Sequence, residues 1–111
     1  MSSKVYQYGG YSLINQQYIK FFKALSNEDR LEIVKLLHKH KEMCAQDVEK
    51  HFYLEQSTTS HHLNTLKRAK ITKSRKKGRN IFYSVDYDNL SELINASLDF
   101  ILDKPKEKGS N

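Results

Sequence analysis

The sequence predicts a mainly α-helical domain with one small β-hairpin placed before its last helix, and three observations support this expectation. Apolar residues recur at helical spacing in five stretches of the 111-residue chain. The stretch 71–85 instead alternates side chains with period two, around a Lys77-Gly78 turn signal. A chain of this length has room for a single core, so one domain is expected.

Three helices are expected in the first half of the chain. The first runs from Ser12 to Leu25, and the Ser-Asn-Glu-Asp segment 26–29 after it has the composition of an N-cap followed by first-turn acids. A second helix therefore begins there and continues to the charged segment 38–42. A short third helix is indicated by Ala45, Val48 and Phe52.

A fourth helix follows the break at 53–55, and its two faces differ in chemistry. Four residues at helical spacing are expected to face the core: Thr59, Leu63, Leu66 and Ala69. The opposite, exposed face carries Ser57, Ser60, His61 and Asn64. Two short helices joined by a tight turn result, and the fourth helix is called the recognition helix below.

Beyond the hairpin, helical spacing returns from Tyr87 to Asp103. The residues 1–10 are expected to form a flexible extension, 11–103 the folded domain and 104–111 a disordered basic tail. No apolar run is long enough to cross a bilayer, and the lone Cys44 forms no intrachain disulfide. A soluble, cytoplasmic protein is therefore expected.

The positive charge of the chain is concentrated in one block. The formal net charge is +6, yet residues 67–79 contain eight basic residues and no acid. An excess this local suggests a polyanionic partner, but a charge run taken alone is more often a solvated lysine-rich face, and the surrounding motifs must decide between the two. The tip of the hairpin, residues 75–79, carries four of these charges on a loop that cannot be core.

Helix, turn, helix and basic hairpin follow one another in the order of a winged helix-turn-helix, and three motifs strengthen this interpretation. They are KALSNEDRLEIVKLL at 23–37, STTSHHLNTLKRAKI at 57–71 and SRKKGRNIFYSV at 74–85. Through them the chain resembles the ArsR/SmtB family of bacterial repressors. The resemblance implies no catalytic activity but a homodimeric DNA-binding repressor that is relieved by a metal ion, an oxidant or another small signal, and no cofactor is expected. A twofold dimer would present its two recognition helices about 34 Å apart, one turn of DNA, so the operator in double-stranded DNA is expected to be an inverted repeat.

The residue types suit DNA independently of the resemblance. Short polar side chains near the start of a helix meet base edges in the major groove, while lysine and arginine neutralise phosphates. The expected DNA contacts are Gln56, Ser57, Thr58, Ser60, His61, Asn64, Lys67, Arg68, Arg75, Lys76, Lys77 and Arg79. The hairpin is called the wing below, and its bases Arg75, Lys76, Lys77 and Arg79 have no acidic partner nearby in sequence.

The adjacent histidines are not expected to bind metal together, because consecutive helical side chains point about 100° apart. His61 is interpreted as a DNA contact rather than a merely solvated side chain. His62 lies near the core boundary and is interpreted as a packed, hydrogen-bonded residue.

Metal sensing is implied for some relatives but fits this chain poorly. Such relatives carry two cysteines at the third helix. The matching segment of this chain, residues 42–48, has Cys44 but has Gln46 in place of the second cysteine. A second metal site of such relatives lies on the last helix. The matching positions of this chain are Asp86, Asp88, Asp99 and Leu102, none of which has an imidazole. These acids and Cys44 are only weak metal candidates, and the inducer is left undetermined.

Dimerisation is expected through the first and last helices, which are more apolar than one small domain can cover. The expected interface residues are Tyr11, Ile14, Tyr18, Phe21, Phe22, Leu90, Ile94, Leu98 and Ile101. Two positions depart from the family pattern: Lys70 replaces a usual glycine after the recognition helix, and Glu55 replaces a usual serine before it.

Three alternatives stay open. The winged helix could serve as a module for protein or RNA contact, or the chain could be a metal-responsive sensor with an unusual carboxylate site. A small hydrolase or redox enzyme using Cys44 is the third, although no motif supplies a base for that thiol.

Overall fold

The computed structural model describes the backbone of residues 9–102 and the side chains of residues 16–102. The elements are α1 Gly9–Leu25, α2 Glu28–His40, β1 Met43–Cys44, α3 Ala45–Phe52, α4 Gln56–Arg68, β2 Thr72–Lys77, β3 Asn80–Val85 and α5 Tyr87–Ile101. The expected order of five helices and a hairpin is confirmed. Because α1 begins at Gly9, residues 9 and 10 of the expected extension are helical, while residues 1–8 and 103–111 lie outside the described part.

The start of α2 follows from the acid-rich segment 26–29. Asn27 is the N-cap, and its side-chain oxygen accepts a hydrogen bond from the Arg30 backbone N–H at 3.0 Å. Glu28 and Asp29 occupy the first turn, where negative charge complements the helix dipole. The cap fixes the corner between α1 and α2.

A third strand joins the hairpin, which the sequence did not predict. β1 pairs antiparallel with β3, Met43 opposite Tyr83 and Cys44 opposite Phe82, and the strand order is β1-β3-β2. Two residues are too few to show a period of two, so this strand has no recognisable pattern in the sequence. It places residues 42–44 against the wing.

The hairpin turn lies one residue later than expected. Lys77 pairs with Asn80, so the turn residues are Gly78 and Arg79. Gly78 has a φ of +64° and Arg79 does not have a positive φ, the sign pattern of a type II′ turn, in which glycine is preferred at the first position. The tight turn keeps the wing short.

The core forms where α4 packs against α1 and α2, and it contains the four residues expected there, three of α4 and its C-cap Ala69. Thr59, Leu63, Leu66 and Ala69 are each 2% exposed or less. They meet a cluster that includes Phe21 and Ala24 of α1 and Ile33 and Leu37 of α2. Burying each leucine contributes about 1.5–3 kcal/mol, so the helix has one strongly preferred rotation and its opposite face must point outward.

Candidate nucleic-acid interface

The outward face of α4 carries small polar side chains. Gln56, Ser57, Ser60, His61 and Asn64 are exposed, and Thr58 is half-buried. The sequence-predicted exposed face is therefore confirmed. These side chains offer hydroxyl, amide and imidazole groups, which can both donate and accept hydrogen bonds.

The helix begins without a side-chain cap. Glu55 is the N-cap residue in an extended conformation, and its carboxylate makes no capping hydrogen bond. The first-turn N–H groups are thus not bonded by this side chain, and they retain their attraction for anions.

The helix ends in a left-handed turn at Lys70, whose φ is +66°. The N–H of Ile71 donates to the Leu66 carbonyl at 3.0 Å, and the N–H of Lys70 donates to the Lys67 carbonyl at 2.9 Å. This is the pattern of a Schellman motif, in which glycine usually provides the left-handed residue. The lysine at this position has the conformation that the motif requires, despite its Cβ.

The recognition helix and the wing border the same groove. Its volume is about 240 Å³, and it places Gln56 and Ser60 of α4 opposite Arg79, Asn80 and Ile81 of the wing. The groove joins two elements that the sequence had assigned to different tasks, base contact and phosphate contact.

Several groove residues were not predicted from the sequence. Asn80 and Ile81 of β3 and Gln46 of α3 border it, as does the half-buried Cys44. Asn80 and Ile81 follow the wing turn directly, and that position is the signal that could have identified them. Gln46 offered no such signal, because it reaches the groove only through the packing of α3 beside α4.

All eight basic residues of the 67–79 block are exposed. Within the described residues, only Arg75 of this block has a carboxylate within ion-pair distance. Its Nε and Nη2 donate to the two oxygens of Glu42 at 2.6 and 2.9 Å. The wing bases have no acidic partner nearby in sequence, but Arg75 has one that is distant in sequence.

The pair is formed by residues 33 positions apart. The hydrogen bond from Arg75, together with its positive charge, lowers the pKa of the Glu42 carboxyl, which is therefore ionised at neutral pH. Lys77 has a different neighbour, since its Nζ lies 5.6 Å from the centre of the Phe82 ring. Among the described residues, Arg75 is thus the wing base that already has a carboxylate partner within the chain.

His62 is packed and hydrogen-bonded, as the sequence predicted. It is 6% exposed, and its Nδ1 lies 3.2 Å from Nη1 of Arg30. Burial is the main cause that lowers the pKa of His62, and the positive charge of Arg30 lowers it further. The ring is therefore neutral at pH 7.

His61 points to solvent, and its ring centre lies 5.8 Å from that of His62. Among residues with described side chains, no three histidine, cysteine or acidic groups come together as a metal site would require. Of the weak metal candidates, Asp86 has a structural part: it caps α5 by accepting from the Asn89 backbone N–H at 3.2 Å. Asp88 and Asp99 are exposed acids of α5.

The apolar faces of α1 and α5 are only partly covered by their own chain. Six large apolar side chains are between 42% and 60% exposed: Ile19, Phe22, Ile94, Leu98, Ile101 and Leu102. Tyr18 is half-buried and its ring lies 4.8 Å from that of Phe100, while Leu90 packs against the core. The side chains of Tyr11 and Ile14 lie outside the described part.

One residue expected at the interface belongs to the core instead. Phe21 is 1% exposed and packs within its own chain, so it has no surface left for a partner. Helical spacing placed it correctly on the apolar face of α1, but spacing does not distinguish which part of a broad face the same chain covers.

No helix in the described part of the chain combines the length and apolar character needed to span a membrane.

Residues 27–73 match the model of the family described as bacterial regulatory protein, arsR family.

Two relatives and one solved structure extend this match. The transcriptional repressor SdpR of Bacillus subtilis is 40% identical over 90 residues, which cover 81% of this chain and 93% of the relative. The cadmium resistance transcriptional regulatory protein CadC of Listeria innocua is 36% identical over 80 residues, covering 72% and 67%. The solution structure of a homodimeric winged helix-turn-helix DNA-binding domain from Mycobacterium bovis superimposes with a TM-score of 0.68 at 19% identity, covering 94% of this chain and 95% of that one.

Proposed function

Because the chain belongs to the arsR family of bacterial regulatory proteins, which are transcriptional regulators and not enzymes, we propose that this repressor binds an inverted-repeat operator in double-stranded DNA as a homodimer. Bacterial DNA lies in the cytoplasm, and the proposal includes that location. The operator is the ligand, and the chain itself is the partner.

The observation that carries the proposal is the shared groove between α4 and the wing. Gln56 and Ser60 face the groove from the helix, while Arg79 and Asn80 face it from the wing. An α-helix fits the major groove of B-form DNA, and its first residues then lie at the base edges. In that orientation the wing lies beside the same stretch of duplex.

The charge distribution supports a division of tasks. Lys76, Lys77 and Arg79 are exposed at the wing tip, and Lys67 and Arg68 are exposed at the end of α4. Contacts from these groups to phosphates release counterions and give affinity for any sequence. The sequence preference then comes from the hydroxyl and amide groups of α4.

The homodimer is supported by the uncovered apolar faces of α1 and α5. Exposed apolar patches of this extent mark association surfaces in small domains. The M. bovis domain with the same fold is described as homodimeric. A twofold dimer presents its two recognition helices about 34 Å apart, one turn of DNA, or at a multiple of that spacing. The operator it binds is therefore an inverted repeat.

Substitutions on α4 and on the wing test the division of tasks. Gln56→Ala or Ser60→Ala should reduce the preference for a selected duplex over a scrambled one by about 1–3 kcal/mol. Lys76→Ala and Lys77→Ala are the matched comparison, and each should weaken binding to both duplexes alike and lower the salt dependence by about one counterion per protomer. Unchanged selectivity in the α4 variants would show that another face meets the bases, and an absence of duplex binding would favour protein or RNA contact instead.

A further inference from the structure

Arg30, at the start of α2, connects three helices through a single guanidinium group. Its Nε donates to the Ala24 carbonyl at 2.7 Å, and its Nη2 donates to the Lys23 carbonyl at 3.1 Å. These two carbonyls belong to the last turn of α1. Its Nη1 reaches Nδ1 of His62 on the recognition helix at 3.2 Å.

The contact with His62 fixes where the imidazole proton lies. A guanidinium group has donors and no acceptor, so Nδ1 of His62 must be the acceptor and must be unprotonated. The neutral ring therefore carries its proton on Nε2, which lies 3.8 Å from Oδ2 of Asp29. Protonation of Nδ1 would remove the hydrogen bond and place a second positive charge beside Arg30.

The surroundings of His62 oppose a positive charge more than they favour it. The charged and titratable groups that face it are Arg30 and Asp29 from α2 and His61 from its own helix. From α1, among the described residues, the last-turn carbonyls reach it only through Arg30. The ring is almost fully buried, whereas the nearest acid, Asp29, is 59% exposed and so is screened by water.

The position of His62 on α4 makes the contact relevant to DNA binding. His62 directly follows Ser60 and His61, which lie on the exposed face of the same turn. A displacement of α4 at His62 therefore moves the side chains that are proposed to meet the bases. Through Arg30 the helix is also fixed to α1, which carries part of the proposed dimer face.

We propose that Arg30 and His62 are positioning residues that hold the recognition helix in its DNA-binding orientation, and that protonation of His62 releases this hold and weakens sequence-selective binding. The inference rests on the proposed function, since it concerns binding to the operator. It adds a response to acidification that needs no ligand besides the proton.

The test compares the full chain with His62→Asn across a range of pH. Asparagine keeps an acceptor near the position of Nδ1 but does not titrate, so it retains the contact with Arg30 at every pH. The probe is a labelled duplex of about 30 base pairs, roughly three helical turns, recovered by selection from a random library. Its Kd is measured by fluorescence anisotropy at constant ionic strength, and circular dichroism verifies at each pH that the chain is folded.

The ratio of the two Kd values isolates His62. The two proteins share every other side chain, so any effect of pH on DNA binding that does not involve residue 62 largely cancels in the ratio. As the pH is lowered from about 8 through the ordinary histidine range near 6.5 to the lowest value at which the chain is still folded, the ratio of wild-type Kd to His62→Asn Kd is expected to rise at least threefold. His61→Asn is the matched control on the neighbouring residue, and the corresponding ratio is not expected to rise, because the contact with Arg30 is made by His62 and not by His61.

Each outcome has one meaning. If the wild type at pH 8 does not prefer the selected duplex over a scrambled one, the proposed function fails. If it does prefer that duplex and the His62→Asn ratio stays constant with pH, only the present inference is wrong. If His62→Asn does not fold, Arg30→Gln replaces it: the glutamine amide donates to the neutral Nδ1 and, when turned over, accepts from the protonated ring, so protonation does not release the contact and the same rise in the ratio is expected.

Discussion

Lys70 holds a left-handed backbone conformation directly after the recognition helix, and its side chain makes this turn less stable than it could be. A residue with a Cβ costs about 1 kcal/mol more than glycine at such a helix end. Lys70→Gly should therefore raise the free energy of unfolding by about 1 kcal/mol, as measured by urea denaturation. Lys70→Ala loses the same charge but keeps the Cβ, and equal stabilities of the two variants would contradict this account.

Arg75 differs from its neighbours in the wing because its guanidinium already donates two hydrogen bonds to the carboxylate of Glu42. Arg75→Ala should reduce the salt dependence of duplex binding by clearly less than the value of about one per protomer expected for Lys76→Ala. The salt slope of Kd measures this difference. In a Glu42→Ala background Arg75 has no acceptor at position 42, and the same substitution should then have the full effect. Equal effects of Arg75→Ala in both backgrounds would show that Glu42 does not withhold the arginine from DNA.

At the scale of the elements, the start of α4 carries a negative charge where phosphate would approach. Glu55 is exposed at the N-cap and makes no capping hydrogen bond. Glu55→Gln should strengthen binding to selected and scrambled duplexes alike by about two- to fivefold, because it removes one anion from the proposed interface. Glu92→Gln, which removes an equal charge from an exposed position of α5, is the control and should change Kd less. The same change in Kd for both variants would mean that only net charge matters.

The faces of α4 could be predicted because they depend on neighbours three and four residues away. Leu63 and Leu66 mark the buried side by spacing alone, and the burial of their side chains follows from the hydrophobic effect. The wing could also be predicted from the sequence, because alternation with period two is a local pattern as well.

Contacts between distant residues could not be predicted in this way. Glu42 and Arg75 are 33 positions apart, and Arg30 and His62 are 32 apart. Both pairs depend on how the elements pack, and neither leaves a local pattern. The sequence therefore predicted that His62 would be hydrogen-bonded but not that Arg30 would be its partner.

At the scale of the whole molecule, the division between self-contained core and association surface depends on packing. Phe21 and Phe22 are adjacent on α1, yet Phe21 is buried and Phe22 is 42% exposed. The sequence indicated that α1 and α5 are too apolar for one domain, and the exposed Ile94 and Leu98 agree with that expectation. Which of the apolar residues remain uncovered required the structure.

A charge placed on the uncovered face should separate the proposed dimer. Leu98→Asp buries a carboxylate if the chains associate through α5, so the variant is expected to sediment as a monomer and to lose at least about tenfold in affinity for the selected duplex. Leu31→Asp is the matched control, because Leu31 of α2 is 43% exposed and lies outside the proposed interface. A dimeric Leu98→Asp variant with unchanged affinity would place the interface elsewhere.

The most direct test of the central claim is the affinity for a selected inverted-repeat duplex compared with the same duplex after one half-site has been scrambled. Each mismatched base pair costs about 1–3 kcal/mol in a specific complex, so at moderate salt the scrambled half-site should weaken binding at least tenfold. Two chains should be bound per intact duplex. Equal Kd values for the two duplexes, or one chain per duplex, would contradict the account of paired recognition helices on a twofold site.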